Sequence, residues 1–285
     1  MDAKSAKARK AKKETNWLDE LKHIALLALA VMAIWSFVAK PFFIPSESMV
    51  PTLLTGDRLI VTKYPYGYSY LSPFVRFLPE MEGRLFGRYP TRGDIVVLKD
   101  PVNHEDWIKR VIGLPGDTVQ MRGGTLYLNG EAIPKVQVAP AHIEESPNMP
   151  CDPRVPQFRK DESGGIYCEY PRFVETLPNG RQYQVLDLGD TPGDYTRPQV
   201  VPEGHVFLMG DNRDRSADSR FAAREHGGLG MLPVENISGR AEFITFSLDG
   251  SSEYFDPSTW LGGLRPERAW KSLRHLPDNL KEDVE

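Results

Sequence analysis

The chain lacks the signatures of the common hydrolases. Its six histidines, His23, His104, His142, His205, His226 and His275, fall in no triad motif. No Gly-x-Ser-x-Gly elbow and no His-Glu-x-x-His helix occurs, so histidine-based serine hydrolysis and zinc hydrolysis both lose support. Asp211-Asn212-Arg213-Asp214 imitates a calcium loop. It carries arginine at the third position and misses the glycine and closing glutamate that such a loop needs. A net charge of −4 over 285 residues is close to balance and offers nothing to nucleic acid. Repeats and low-complexity tracts are absent. Cysteine is scarce: Cys151 and Cys168 stand alone, without CxxC or metal-ligand spacing. An oxidising compartment would favour pairing them; otherwise they are two thiols.

Long apolar runs are scarce as well. A single one is present, Ile24 to Ala39, uncharged, with Ser36 its one polar side chain. Alone it covers about 24 Å, short of the ~30 Å hydrocarbon core. Phe42, Phe43 and Ile44 are expected to extend it past Lys40, which can snorkel, and Pro41. Trp17 and Trp35 suit the two interfaces. A basic block precedes the run, with Lys4, Lys7, Arg9, Lys10, Lys12 and Lys13 against Asp2. A cleaved signal peptide starts the same way, but cleavage after Ala39 would place Phe37 at −3, and Ala28-x-Ala30 lies deep in the run. The reading is an uncleaved anchor with its basic end in the cytoplasm and everything after residue 40 outside.

The body reads as β. Arg58–Thr62, Ile95–Leu98, Trp107–Ile112, Thr125–Leu128, Val206–Met209 and Glu242–Phe246 are short strand patterns between Gly, Pro and Asp turns. Asn129-Gly130 is a hairpin signal. The fold class is mainly β: one N-terminal transmembrane helix, then an exported antiparallel β domain with an inserted second β region. The expected divisions are a basic tail at 1–21, an anchor at 22–40, a catalytic core at 41–133 and 201–262, a peripheral β insertion at 134–200, and a tail at 263–285. Residues 64–90 form a connection rich in aromatics (Tyr64, Tyr66, Tyr68, Tyr70, Phe74, Phe77, Phe86), which either cover the sheet or rest among headgroups. In the tail, Trp270, Leu273, Leu276 and Leu280 have near-helical spacing broken by Pro277.

Without a histidine in a triad motif, a serine needs another base. A lysine serves if burial lowers its pKa by roughly 3 units from about 10.4. Lys63 and Lys99 end strands beside turns and are expected in solvent. Lys109 lies mid-strand in Trp107-Ile108-Lys109-Arg110-Val111-Ile112. It shares a face with Trp107 and Val111, and Arg110 shares the other with Ile108 and Ile112. One of two adjacent cations is therefore forced onto an apolar face.

Four blocks in combination are much more specific. They are Phe43-Ile44-Pro45-Ser46-Glu47-Ser48-Met49-Val50-Pro51-Thr52-Leu53; Gly56-Asp57-Arg58-Leu59-Ile60-Val61; Arg92-Gly93-Asp94-Ile95-Val96-Val97 with Asp106 to Asp117; and Met209-Gly210-Asp211-Asn212-Arg213-Asp214-Arg215-Ser216-Ala217-Asp218-Ser219-Arg220. In this order behind an anchor, they resemble bacterial type I signal peptidases of the Gram-negative kind. The resemblance spans about residues 42–247.

It implies a serine–lysine dyad with Ser48 as nucleophile and Lys109 as base. Ser216 would orient the amine, and Ser46 would join the Ser48 amide in the oxyanion hole. Asp218 and Arg220 would hold the Ser216 loop, with Asp211 and Arg213 as structural support. Phe42, Ile44, Pro45, Met49, Leu59, Val97, Trp107 and Ile108 would line pockets for small residues at −1 and −3 of a signal peptide. Trp107 stands where the resemblance implies tyrosine. No metal or cofactor is implied. The implied partners are preprotein signal peptides, the lipid bilayer and, by proximity, the export machinery, with no nucleic acid. The implied location is the bacterial inner membrane, with the catalytic domain periplasmic. A relative dedicated to one secreted pilin, a self-cleaving repressor and an inactive signal-sequence binder fit less well. The blocks are general, the N-terminus is an anchor rather than a DNA-binding domain, and Ser48, Lys109 and Ser216 are all present.

Overall fold

The computed structural model describes residues 17–73, 79, 81–159, 165–224, 227–253 and 256–274. The basic block, Phe74, Phe77, His226, His275, Leu276, Pro277 and Leu280 lie outside the described residues. Helix α1, Trp17–Phe37, has 21 residues. At 1.5 Å per residue it is about 30 Å long, the thickness of a bilayer's apolar core. It starts before the apolar run, taking in Asp19, Glu20 and Lys22. Its apolar surface has almost no protein cover, with Leu26 67% and Leu27 64% exposed.

The helix stops at Phe37, so Phe42, Phe43 and Ile44 do not extend it. Pro41 has no N–H to give a helix and biases Lys40 toward extended backbone. The chain instead enters strand β1, Ala39–Phe43, which pairs antiparallel with β2, Asp57–Thr62, placing Pro41 opposite Ile60. β1 is a sheet edge, where proline is tolerated.

The remaining strands are β3 Ile95–Lys99, β4 Asp106–Gly113, β5 Thr118–Arg122, β6 Thr125–Leu128, β7 Glu131–Ala132, β8 Lys135–Glu144, β9 Gln157–Arg159, β10 Ile166–Thr176, β11 Gln182–Leu186, β12 Gln199–Val200, β13 His205–Met209, β14 Leu232–Pro233 and β15 Ile237–Ser247. The largest sheet has the order β1-β2-β15-β3-β4-β13-β14, antiparallel throughout. The architecture is mainly β with one apolar N-terminal helix. Asn129 and Gly130 both take positive φ (55° and 86°) between β6 and β7, as a two-residue hairpin requires.

The insertion is less peripheral than its composition suggests. β8, β10 and β11 form a sheet with β9 attached, but β12 returns to pair with β5. Leu177, Tyr183 and Val185 pack into one core cluster with Ile112 and Phe207. The described part of the C-terminal tail is not an appendage either, and it forms no long helix. Leu273 joins the cluster of Ile44, Met49 and Leu59, and Trp270 stacks on Phe243 at 5.6 Å. The 64–90 connection divides its aromatics. Tyr66 and Tyr70 are buried over the sheet, whereas Phe86 is 87% exposed.

Candidate active site

The turn after β1 carries the first half of the site. Ile44, Met49 and Leu53 are fully buried and pin the turn to the core. Leu53 N–H donates to Met49 O at 2.9 Å and Val50 N–H to Glu47 O at 3.2 Å. Ser46 and Ser48 lie between these pins, with their Oγ atoms 3.5 Å apart. Among the described residues the Ser48 amide enters no backbone hydrogen bond.

Strand β4 supplies the second half. It is central in the sheet between β3 and β13, and both of its cations are buried. Each meets the cost of burial differently. Arg110 is paired: its Nε donates to Asp211 Oδ1 at 2.7 Å and its Nη2 to Oδ2 at 2.5 Å. Among the described residues Lys109 Nζ forms no ion pair with a carboxylate. It lies 2.9 Å from Ser48 Oγ, donates to Ile108 O at 3.0 Å, and sits 5.3 Å from the Trp107 ring centre. Burial lowers the Lys109 pKa to about 8; Asp218 and Asp211 oppose the shift and Arg220 assists it.

Lys63, expected in solvent, is buried, and its amine donates to Ser72 O. The 64–90 connection folds back over the strand end, a contact that local pattern does not show. Lys99 keeps an acidic neighbour, Asp106, at 3.6 Å.

The loop after β13 closes the site. Arg220 grips Asp218 through Nε at 2.9 Å and Nη2 at 3.0 Å, and the Gly210 amide donates to Asp218 Oδ2 at 3.0 Å. Burial pushes the Asp218 carboxyl up, but Arg220 and these donors outweigh it and hold the group below the usual range. Arg213 makes a two-pronged pair with Glu175 of β10, at 2.8 and 2.6 Å, joining the insertion to the loop. Asn212 N–H donates to Ser48 O at 3.1 Å, and its Nδ2 to Glu47 O at 3.2 Å. Glycine is required at 210, because a Cβ there would meet Ser216 Oγ at 2.3 Å and Ser48 O at 2.4 Å.

Ser216 is buried near the dyad but does not hydrogen-bond Lys109. Its Oγ lies beside the Asp218 carboxylate, which it helps to hold ionised, and among the described residues it makes no hydrogen bond of good geometry. Cys151 and Cys168 are joined, with Cα atoms 5.6 Å apart.

A cavity of about 300 Å³ opens over Ser48 and Lys109. Phe42, Pro45, Trp107 and Ile108 line it, together with Glu105, Asp106, Arg215 and Ala217, which sequence reasoning did not select. Asp106 directly precedes the Trp-Ile-Lys segment and so was within reach of the strand argument. Arg215 had no local signal. Ile44, Met49, Leu59 and Val97 do not line the cavity; all four are fully buried in the cluster behind Phe42 and Ile108.

A buried amine against a serine hydroxyl is the arrangement of a serine hydrolase with a lysine base, here on a β body behind a membrane-length helix. Residues 17–246 match the family described as signal peptidase, peptidase S26, and the chain belongs to that family. Signal peptidase I of Rickettsia typhi is 38% identical over 237 residues, covering 80% of each chain. That of Rickettsia prowazekii is 39% identical over the same length, again covering 80% of each. A solved signal peptidase I from Enterococcus faecalis V583 is 26% identical, covering 54% of this chain and 97% of that one, with a TM-score of 0.29, too low to transfer geometry. The activity of the family, removal of signal peptides by a membrane-bound serine peptidase, is the activity of this chain.

Proposed function

We propose that Ser48 is the nucleophile and Lys109 the general base. The observation that carries this is the buried Lys109 amine, its pKa lowered by burial, 2.9 Å from Ser48 Oγ. Neutral Lys109 takes the Ser48 proton as Oγ attacks the scissile carbonyl. The Ser46 hydroxyl and the Ser48 amide stand where the oxyanion develops. Lys109 then protonates the leaving amine, and a water deprotonated by Lys109 hydrolyses the acyl-enzyme. Ser216, buried near the dyad with its hydroxyl beside the Asp218 carboxylate, orients the lysine as the substrate arrives.

The substrate enters as an added strand between edge strand β1 and the start of β4. Small residues at −1 and −3 fit a cavity bounded by Phe42, Pro45, Trp107 and Ile108. Ile44, Met49, Leu59 and Val97 set its depth from behind. The N-terminus lies in the cytoplasm and the catalytic body on the periplasmic side of the inner membrane, where the export machinery delivers preproteins. Tyr68 OH donates to Phe37 O at 3.1 Å at the end of α1 and bridges to Leu85, so exposed Leu85 and Phe86 rest among lipid headgroups.

The test is cleavage of a preprotein with an Ala-x-Ala exit by wild type and by Ser48→Ala. Loss of all cleavage in a folded Ser48→Ala variant is expected. Residual activity of more than about a hundredth, against the 10⁶-fold scale of enzymic acceleration, would remove Ser48 as nucleophile.

A further inference from the structure

We propose that Arg215 is a positioning residue for this reaction: it braces the turn bearing Ser46 and Ser48 against the disulfide-closed loop of the insertion. The proposal rests on Ser48 being the nucleophile. Arg215 lies at the wall of the site cavity and also lines a second cavity of about 330 Å³ with Ser216, Ala217 and Phe221. Its Nη1 donates to Glu47 Oε2, and its Nε lies 2.9 Å from Asp152 Oδ2.

Glu47 is the residue between the two serines. Asn212 fixes the Glu47 and Ser48 carbonyls. The Glu47 side chain is a further handle on the turn, and Arg215 takes it. The other anchor is held from several sides. Asp152 is 1% exposed and follows Cys151 directly. Its Oδ1 accepts from the Arg154 amide at 2.9 Å, its Oδ2 from Arg154 Nη2 at 2.8 Å, and its own amide donates to Tyr170 OH at 3.2 Å. Tyr170 and Cys168 both belong to β10. The chain of contacts therefore runs from a covalently closed loop, through one guanidinium, to the backbone that aims nucleophile and oxyanion donor. A turn misplaced by an ångström weakens transition-state contacts more than ground-state binding, so the effect falls on kcat.

Steady-state kinetics on the full chain in detergent test this. Arg215→Gln is expected to lower kcat about tenfold with KM within twofold, and Arg215→Lys, which reaches one carboxylate, to recover part of it. The pH profile should keep its midpoint, because Lys109 is untouched. Glu47→Gln should reproduce the kcat loss, and the Arg215→Gln/Glu47→Gln double variant should be no slower than the slower single one. Reductant should lower wild-type kcat and leave Arg215→Gln unchanged. An unaltered kcat in Arg215→Gln, a change confined to KM, or fully additive losses would overturn the brace. If Arg215→Gln fails to accumulate, Glu47→Gln with and without reductant decides the same point. Cleavage by Ser48→Ala in parallel would overturn the nucleophile assignment, whatever the Arg215 series shows.

Discussion

Lys109 carries a cost that the fold accepts. Its pKa falls from 10.5 to about 8 on burial, so the folded protein binds this proton more weakly than the unfolded chain. Below pH 8 both states are protonated and the penalty is fully present, about 3 kcal/mol at 1.36 kcal/mol per unit. Between about pH 8 and 10.5 the folded protein sheds the proton first, and stability from this group rises. Lys109→Met should therefore abolish cleavage and raise stability at pH 7, with the advantage shrinking by pH 10, as read by urea unfolding in detergent. Retained cleavage would shift suspicion to Lys63 or Lys99. Wild-type kcat/KM should climb through a midpoint near 8 as the amine becomes neutral; a midpoint below 7 would implicate another base. Gly210→Ala should lose activity at least tenfold in a cleavage assay, because its Cβ would meet Ser48 O at 2.4 Å and a backbone atom cannot move aside.

At the scale of elements, buried ion pairs fasten loops to strands. Arg110–Asp211 ties β4 to the loop after β13, Arg213–Glu175 ties that loop to the insertion, and Arg268–Asp57 ties the tail to the start of β2. Removing one partner leaves the other charge buried, so Asp211→Ala should cost roughly 3–5 kcal/mol in urea unfolding. A loss under about 1 kcal/mol would mean Arg110 finds water. Most strands were legible beforehand because alternating or continuous apolar runs ended at Gly, Pro and Asp. β1 was not, because Phe42, Phe43 and Ile44 continue the anchor's hydropathy and only pairing with β2 distinguishes strand from helix. The tail misled for a similar reason: near-helical spacing in Trp270 and Leu273 serves contacts with β15.

For the whole molecule, α1 is fastened to the connection after β2. Phe37 at the helix end and Tyr68 meet edge to face at 5.7 Å, so anchor and connection are joined directly. Phe86→Trp in vesicles should add a blue-shifted emission quenched by brominated lipid, seen as the difference from wild type. An unquenched, red-shifted signal would place this tip in water.

From the sequence alone came the family, the membrane helix and the β class, because each rests on local features: motif spacing, a long apolar run, and short apolar runs between Gly, Pro and Asp turns. The dyad proposed above came from the family resemblance. Tertiary structure decided what local pattern cannot contain. Asp211 pairs with Arg110, whereas among the described residues Lys109 forms no ion pair with a carboxylate, and burial lowers its pKa. Tertiary packing buried Lys63, set four expected pocket residues behind the cavity, and brought Arg215 to Glu47 and Asp152 across the chain. These outcomes depend on which charges meet in a low-dielectric interior, and that is fixed only when distant segments pack together.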